Sequence, residues 1–469
     1  MDKFDLCVIG GGPAGMMAAC AAGARGLKVL LLEKNEHLGK KLELTGRGRC
    51  NLAHAAETPE ELAQRYGDGA EFMTEALKLF GVDDTLEFFT SRGLNVVLER
   101  GNRYFPADGN NADSVTAVLK REMRLRRVLV LTKTEVRGLD LMGGRVRRVI
   151  TGKGELEADQ FIIATGGLSF PQTGSSGDGY RFARKAGCDV TDTQPALCPI
   201  RVKDFLPREV VALKLKNVRL TARSRGKILG ERFGELDFAP FGLSGAIAMD
   251  LASTVGRALE KGPVTLSIDL KPALDEAKLT ARLERDFEGA GDLPLRFALG
   301  KLLPRDLIGL MLVRLGKEEH HKVSDLTDED KAKLRSLLKD LSFTVTELVG
   351  YKHAIVTAGG VSLDDLSPQT MGCSGVPNLY FAGEVLDLDG PSGGFNLQIC
   401  WTTGAIAGRA AAQAMGKTQD LPLAPKDAKT PGKIIDRRSE EKDPRGRQPY
   451  GGRTPRAVRG EPKRRGRKE

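Results

Sequence analysis

The feature that most restricts how this chain can fold is the segment GGGPAG at residues 10–15, which fits the pattern GxGxxG. An apolar segment, residues 4–10, precedes it, and a small-residue segment, residues 13–26, follows it. A second apolar segment, residues 27–33, closes the unit. This order predicts a strand, a glycine turn, a helix and a second strand. The glycines let a pyrophosphate approach the helix N-terminus, where the helix dipole favours anions.

The residue that ends the second strand, Glu33, indicates which dinucleotide fits. Its carboxylate can accept hydrogen bonds from both ribose hydroxyls of an adenosine and would repel a 2′-phosphate, so NADP is not expected at this site. Two later strands favour FAD over NAD. They are FIIATGG at residues 161–167 and LYFAGEVLD at residues 379–387, whose Glu384 is placed like the acidic residue that binds the ribityl chain in FAD folds. We therefore predict FAD as the cofactor.

A glycine-rich loop, DLDGPSGGFNLQ at residues 387–398, leads into the last apolar helix. We expect it to hold backbone N–H groups at the start of that helix against the pyrimidine edge of a flavin, where negative charge collects on reduction. Glycines allow this close approach of the backbone. The alternative is a helix entry turn whose glycines serve only packing.

A second unusual loop, LELTGRGRCNL at residues 42–52, combines glycines with Arg47 and Arg49. We predict that these arginines are functional, because a cation makes a flavin ring more electrophilic or holds an anionic substrate. Cys50 is open to two interpretations: a protonated thiol that acts as a general acid, or a small buried side chain. Asn51 completes the candidate catalytic group.

The middle of the chain, from about residue 193 to 351, changes character. The segment VALKLKNVRLTARSRGKILGERF, residues 211–233, alternates like antiparallel strands, and several helical patterns follow it. After them AIVTAGGVSL, residues 354–363, returns to the style of buried parallel strands. These patterns predict a first fold that is interrupted by an inserted region, part β and part helix, and then completed.

Cysteine usage and hydropathy give expectations about the setting. The seven cysteines are scattered without a CxxC pair, which argues against a disulfide framework or a metal site and fits a reducing cytoplasm. The chain has no run of 18 apolar residues, so we expect no transmembrane helix and no membrane partner.

The net charge of +10 is concentrated at the C-terminus, where residues 426–469 hold 16 Lys and Arg against 7 Asp and Glu. Because residues 419–469 are rich in Pro, Gly and Arg and poor in apolar residues, we expect a disordered tail. Such a tail predicts a polyanion partner, most simply RNA, with no DNA partner expected. The alternative is a solubilising tail without a specific partner.

Seven segments together resemble the BaiN/RdsA-type family of FAD-dependent oxidoreductases over residues 4–412: VIGGGPAG, LLEKN, TGRGRCN, FIIATGG, PALCP, VTAGGV and LYFAGEVLDLDGPSGGFNLQ. The resemblance implies an α/β fold with a Rossmann-like FAD-binding domain of the GR2 type. This domain is interrupted by an inserted β-barrel-like subdomain and a helical subdomain, and a disordered basic tail follows. The expected boundaries are 1–193 and 351–418 for the two parts of the FAD-binding domain, 194–350 for the inserted substrate region and 419–469 for the tail.

Carried over by motif, the resemblance implies FAD contacts from the glycine turn, the strand ends and the glycine-rich loops: Gly10, Gly12, Pro13, Ala14, Gly15, Glu33, Lys34, Arg49, Gly166, Gly383, Glu384, Gly394, Phe395 and Asn396. No second GxGxxG lies on a strand–helix unit, so no dedicated NAD(P) domain is predicted. NAD(P)H therefore enters only as a candidate transient electron donor.

The resemblance also implies a choice of activities. One branch of the family is similar to a reductase of unsaturated 3-oxo bile acids. Another reduces a uridine of large-subunit rRNA to dihydrouridine, and some members have been called aminoacetone oxidases. We predict reduction of a C=C bond conjugated to a carbonyl, with rRNA uridine as the substrate because the tail is basic. The alternatives are an FAD-dependent reductase or oxidase of a small metabolite, and a non-catalytic RNA-binding factor gated by its flavin.

Overall fold

The computed structural model describes residues 3–204, 206–422, 427 and 429–439 of the 469-residue chain. In these residues the helices are α1 (Pro13–Ala24), α2 (Pro59–Ala63), α3 (Ala70–Leu79), α4 (Val82–Thr90), α5 (Ala112–Leu125), α6 (Asp178–Lys185), α7 (Ala246–Met249), α8 (Ala252–Leu259), α9 (Glu276–Glu288), α10 (Leu295–Leu299), α11 (Arg305–Leu315), α12 (Asp328–Lys339) and α13 (Phe395–Ala414).

The strands in the same residues are β1 (Phe4–Ile9), β2 (Val29–Leu32), β3 (Ala53–His54), β4 (Val96–Glu99), β5 (Arg103–Pro106), β6 (Leu129–Leu131), β7 (Val136–Met142), β8 (Arg145–Thr151), β9 (Gly154–Ile163), β10 (Gln194–Ala196), β11 (Ile200–Val202), β12 (Lys214–Ser224), β13 (Lys227–Ala239), β14 (Gly242–Ser244), β15 (Val264–Asp269), β16 (Leu341–Leu348), β17 (Val356–Ala358), β18 (Gly372–Cys373), β19 (Val376–Phe381) and β20 (Ile434–Asp436).

Parallel strands form the centre of the largest sheet, in the order β19-β9-β1-β2-β6. Val8 on β1 lies between Leu31 on β2 and Ile162 on β9, and all three side chains are buried. A strand buried on both faces needs apolar residues at nearly every position, which is the pattern of residues 4–9 and 29–32. The predicted βαβ unit is confirmed.

Helices α1 and α13 pack against each other at backbone distance. A Cβ atom added at Gly404 would lie 2.4 Å from the carbonyl oxygen of Ala14, and one added at Gly408 would lie 2.3 Å from that of Ala18. The contacts advance together along both helices, so the helices run in the same direction. Gly404 is nine residues after the start of α13, whereas Ala14 is one residue after the start of α1. At 1.5 Å per residue, α13 therefore extends roughly 12 Å further than α1 in the N-terminal direction of the two helices.

The inserted region contains a closed barrel with the strand order β11-β14-β13-β12-β15-β16. Its long hairpin, β12 and β13, pairs in antiparallel register, as the alternating pattern of residues 211–233 predicts. Helices α9, α11 and α12 share one apolar core with the barrel, separate from the core around the parallel sheet. The predicted β-barrel-like insertion and its helical companion are thus confirmed as architecture.

Two segments differ from expectation. Strand β17 pairs antiparallel with β10 in a separate two-stranded sheet, and does not join the parallel sheet. In the segment expected to be disordered, β20 pairs in parallel with β4. Ile434 and Ile435 give this part an apolar pair, and Ile435 packs against a buried cluster that contains Phe105. Residues 423–426, 428 and 440–469 of the predicted tail lie outside the described residues.

Candidate functional site

A cavity of about 870 Å³ opens where the parallel strands end. Its wall includes Gly10 after β1, Glu33 after β2, residues 164–166 after β9 and Ala382 after β19. In open α/β sheets, ligands bind in the crevice at the carboxyl ends of the strands. The volume falls in the range of roughly 300–1,000 Å³ that is usual for cofactor and small-molecule pockets.

The glycine turn between β1 and α1 has the geometry that a pyrophosphate requires. A Cβ at Gly10 would lie 2.3 Å from the carbonyl oxygen of Ala164, and one at Gly15 would lie 1.9 Å from that of Gly10. A Cβ at Gly12, the N-cap of α1, would meet no atom within 4 Å. Two glycines thus allow backbone packing, while the third leaves open space at the helix N-terminus for an anion.

Glu33 is held in a fixed position at the end of β2. One carboxylate oxygen accepts the backbone N–H of Gly11 at 2.8 Å, and the other accepts the backbone and side-chain N–H groups of Asn35, both at 2.7 Å. Only 8% of Glu33 is exposed, and the residue lines the cavity. A carboxylate oriented in this way keeps further lone pairs for ribose hydroxyls.

The N-terminus of α13 lies at a different part of the same cavity. It is displaced by roughly 12 Å from the N-terminus of α1 along the helix axes. Gly393 and Gly394 have φ values of 125° and 105°, and a Cβ at Gly394 would lie 2.5 Å from the carbonyl carbon of Ala53. The amide of Asn396 closes the loop, because it accepts the backbone N–H of Gly390 at 2.9 Å and donates to the Gly390 carbonyl at 2.8 Å. Two parallel helix N-termini, offset along their axes at one cavity, fit the pyrophosphate and the flavin ring of one FAD.

The arginine loop adjoins the α13 end of the cavity through the contact of Gly394 with Ala53. Arg47, Arg49 and Asn51 line the cavity. The guanidinium of Arg49 lies 4.0 Å from the centre of the Phe105 ring and 2.6 Å from the Glu99 carboxylate. The Arg47 side chain is exposed, and no carboxylate pairs with it in the part of the chain that the structure describes.

Cys50, in the same loop, is fully buried and is not among the residues that line the cavity. Its φ value of 60° directs the chain through a left-handed turn. Burial raises the pKa of its thiol to about 12, although a hydrogen bond with Thr45 lowers it slightly. A catalytic role for Cys50 stays a prediction, and this placement corresponds to the alternative of a small buried side chain.

A polar network that the sequence analysis does not anticipate surrounds Glu384. The ammonium of Lys41 lies 2.5 Å from the Glu384 carboxylate and 2.6 Å from the hydroxyl of Ser169. Ser169 donates to the same carboxylate, and the backbone N–H of Thr357 donates to it at 2.9 Å. These partners are 27 to 343 residues from one another in sequence, so no local motif indicates the network.

Most of the predicted site residues lie together at the cavity. Those that line it are Gly10, Gly12, Pro13, Ala14, Glu33, Lys34, Arg47, Arg49, Asn51, Gly166, Glu384, Gly394 and Asn396. Those that do not are Gly15, Cys50, Gly383 and Phe395. The backbone N–H of Gly383 donates to Thr403, and Phe395 stacks on His54, so each is held in place next to a residue that lines the cavity.

Two buried polar atoms on the cavity wall have no hydrogen-bond partner within the described residues, the Oδ1 of Asn51 and the Oγ1 of Thr165. Buried polar atoms without a partner are rare unless a ligand or water satisfies them. Together with the open space beside Gly12 and the offset helix N-termini, they show that the residues present fit FAD.

Three cations of the wall have no carboxylate partner among the described residues: Lys40, Arg47 and Arg103. Lys34 and Lys41, in contrast, pair with Asp178 and Glu384. These three side chains therefore keep a positive charge that no ion pair within the described part of the chain neutralises, although six carboxylates line the cavity as well. Such a charge favours phosphate or a developing oxyanion.

The sequence is similar to several known proteins. It is 32% identical over 410 residues to the 3-dehydro-bile acid delta(4,6)-reductase of Clostridium scindens, covering 87% of this chain and 98% of that protein. It is 30% identical over 413 residues to the ribosomal RNA dihydrouridine synthase of Escherichia coli, covering 86% and 96%. The fold is similar to that of a 3-ketosteroid delta1-dehydrogenase from Sterolibacterium denitrificans, with a TM-score of 0.51, 13% identity and coverage of 88% and 100%.

In the described part of the chain, no helix is long and apolar enough to cross a membrane. The family described as "HI0933-like protein Rossmann domain" matches residues 4–410, which is nearly the whole of the two folded regions. With the glycine turn, the strand ends and the α13 loop placed around one FAD-sized cavity, the chain belongs to this family of FAD-dependent oxidoreductases.

Proposed function

We propose that this protein reduces a C=C bond conjugated to a carbonyl, and that its substrate is uridine in large-subunit rRNA, which becomes dihydrouridine. The observation that carries the proposal is the group of unpaired cations, Lys40, Arg47 and Arg103, at a cavity shaped for FAD. A relative at 30% identity is named a ribosomal RNA dihydrouridine synthase. Dihydrouridine differs from uridine by saturation of the C5=C6 bond, which is conjugated to the C4 carbonyl.

The chain's own residues would orient the pyrimidine. A reduced FAD held in the cavity would supply the hydride that saturation at C6 requires. Arg47 would hold the C4 carbonyl oxygen, where negative charge develops as the hydride adds, and a cation there stabilises the transition state. The unpaired Oδ1 of Asn51 would accept a hydrogen bond from the imide N–H beside that carbonyl. A proton donated to C5 by a protein acid or by water would complete the addition of two hydrogens.

Nucleoside mass spectrometry of large-subunit rRNA, from cells with and without the gene, tests the proposal. We expect dihydrouridine to disappear on deletion and to return with the intact gene. Arg47→Met should not restore it. Arg285→Ser should restore it, because Arg285 is an exposed residue of α9 that does not line the cavity. Unchanged dihydrouridine in the deletion strain would contradict the proposal.

A second candidate function has its own supporting observation. The cavity wall includes apolar side chains that remain half exposed, Leu44 at 50% and Ile355 at 40%, and these suit a flat apolar substrate. A relative at 32% identity is named a bile acid reductase. Under this alternative, purified protein would consume a steroid enone with reduced cofactor, rRNA would be unchanged on deletion, and Leu44→Ser would raise KM for the enone.

A further inference from the structure

The outer face of the β12–β13 hairpin carries an exposed aromatic ring among basic side chains. Phe233 on β13 is 62% exposed and lies directly opposite the exposed Arg219 on β12. Four residues further along β12, after a register shift in the pairing, Arg223 lies opposite Ile228, which is 58% exposed. Residues directly opposite each other in an antiparallel pair share a face. These four residues form what we call the hairpin face.

The hairpin is also basic relative to the rest of the folded chain. Residues 214–239 contain seven Lys and Arg and three Asp and Glu, a net +4, whereas residues 1–425 together carry about +1. One of the acids, Glu231, lies 3.4 Å from Arg219 and also accepts from Thr221. An exposed ion pair of this kind contributes little to stability, so it leaves Arg219 available to a stronger anion.

The hairpin face is continuous with the cavity. Lys214 at the start of β12 and Asp237 opposite it on β13 both line the cavity wall, as does Glu235. Arg219 follows Lys214 by five residues on the same strand, which corresponds to roughly 16 Å. A polymeric substrate with one unit in the cavity can therefore extend along the protein surface to the hairpin face.

We propose that the hairpin face binds the single-stranded RNA next to the nucleotide that enters the cavity. Phe233 stacks on a base, and Arg219 and Arg223 contact the phosphates on either side. Aromatic side chains set in a basic surface are the usual means of holding single-stranded nucleic acid, because every base offers a π-face. The inference rests on the proposed RNA substrate, and it assigns the contacts that hold that substrate to the barrel.

Binding of a fluorescein-labelled twelve-nucleotide oligouridylate to the full-length protein, with FAD bound, tests this inference. Phe233→Ala should weaken binding by about tenfold or more, the usual effect of losing one stacked base. Arg219→Ser should lower the slope of log Kd against log salt by about 0.7. The matched controls are Phe297→Ala and Arg285→Ser. Phe297 is 53% exposed with Arg296 beside its ring, but it lies on α10 in the helical region.

The controls should bind within about twofold of wild type. Equal binding by Phe233→Ala and wild type would overturn the inference, as would an equal loss in the Phe297→Ala control. Weak binding that no hairpin substitution changes would also overturn it, and would assign the affinity to other basic segments. The rRNA measurement gives a separate answer. If RNA binding depends on the hairpin but rRNA dihydrouridine does not depend on the gene, the proposed function is wrong. If dihydrouridine depends on the gene but RNA binding does not depend on the hairpin, only the hairpin assignment is wrong.

Discussion

The α1–α13 contact and the hairpin face are built in opposite ways. The first is a contact of backbone with backbone, made where Gly404 and Gly408 leave no room for a Cβ atom. The second is a set of long side chains on a paired surface, with Phe233 and Ile228 mostly in solvent. The first positions two helix N-termini around the cofactor cavity, and the second extends from the same cavity on the barrel.

The two regions differ in the substitutions that each can accept. Adding a side chain at a backbone contact destabilises the protein, because the contact can be relieved only if a whole helix shifts. An exposed hairpin side chain can be removed with the fold intact, because it makes few contacts in the folded state. Substitutions ordered by their effect on stability can therefore test where the boundary lies.

The largest expected effect is that of Gly404→Ala. Its Cβ would lie 2.4 Å from the Ala14 carbonyl oxygen, so we expect a loss of roughly 3 kcal/mol in the free energy of unfolding, together with loss of bound flavin. Gly309→Ala in α11 is the matched control, because its Cβ would meet nothing within 4 Å. A helical Gly→Ala change there should stabilise by about 0.5–1 kcal/mol. Equal denaturant midpoints for the two variants would contradict the backbone-contact account.

The next effect is expected where the α13 loop meets the inserted region. There Asp389 accepts a hydrogen bond from Ser253 of α8 at 3.2 Å. Burial raises the pKa of Asp389 from 3.8 to about 6, and Arg257 opposes the rise while Asp387 and Asp68 add to it. The folded state therefore binds more protons than the unfolded state between pH 4 and pH 6, so this group costs stability as the pH rises through that window.

Asp389→Asn should remove this cost. The stability of the variant relative to wild type should shift in its favour by about 2–3 kcal/mol between pH 4 and pH 7, in chemical unfolding at each pH. Asp364→Asn, at an exposed position, serves as the control and should show no such shift. A pH-independent difference for Asp389→Asn would mean that the carboxyl is not desolvated at this seam.

A smaller effect on stability, but a large one on flavin, is expected for Gly12→Ala. The φ and ψ of Gly12, −78° and −175°, suit any residue, and its Cβ would point into open space. The melting temperature of flavin-free protein should therefore stay within about 1 °C of wild type, since small surface changes are usually within 0.5 kcal/mol. Flavin absorbance per chain should fall sharply. Gly15→Ala, which would clash with the Gly10 carbonyl, should lose both stability and flavin.

The smallest effect on stability is expected at the hairpin face. Phe233→Ala removes a ring that is 62% exposed, so the denaturant midpoint and the flavin content should match those of wild type. A clear loss of stability would show that the ring packs in solution against part of the protein. The hairpin face would then contribute to stability by packing, as the α1–α13 contact does.

Local pattern was sufficient to predict the parts of the site that the backbone makes. The glycine turn, Glu33 and the 387–398 loop each consist of neighbouring residues whose spacing dictates a strand end or a helix start, and these lie at the cavity as expected. The antiparallel hairpin of the barrel followed from simple alternation. Each of these features depends on a few consecutive residues, so tertiary context had little to add.

Features that depend on distant residues could not be predicted in this way. Nothing local distinguishes Lys41, which pairs with Glu384, from its neighbour Lys40, which has no carboxylate partner among the described residues. The segment around Val356 has the composition of a parallel strand, but its partner β10 runs antiparallel to it. In each case the partner is chosen by the assembled fold, at a separation that sequence periodicity does not report.

Strand β20 has a consequence for how the chain behaves in solution. It covers the outer edge of β4, where the backbone N–H of Val96 donates to the Lys433 carbonyl and that of Arg437 donates to the Leu98 carbonyl. An uncovered edge strand is a template for pairing with a strand of another molecule. A protease cut before Gly432 would leave β4 open, so nicked protein should self-associate with increasing concentration. We therefore expect the segment that joins the basic C-terminus to the fold to limit self-association as well.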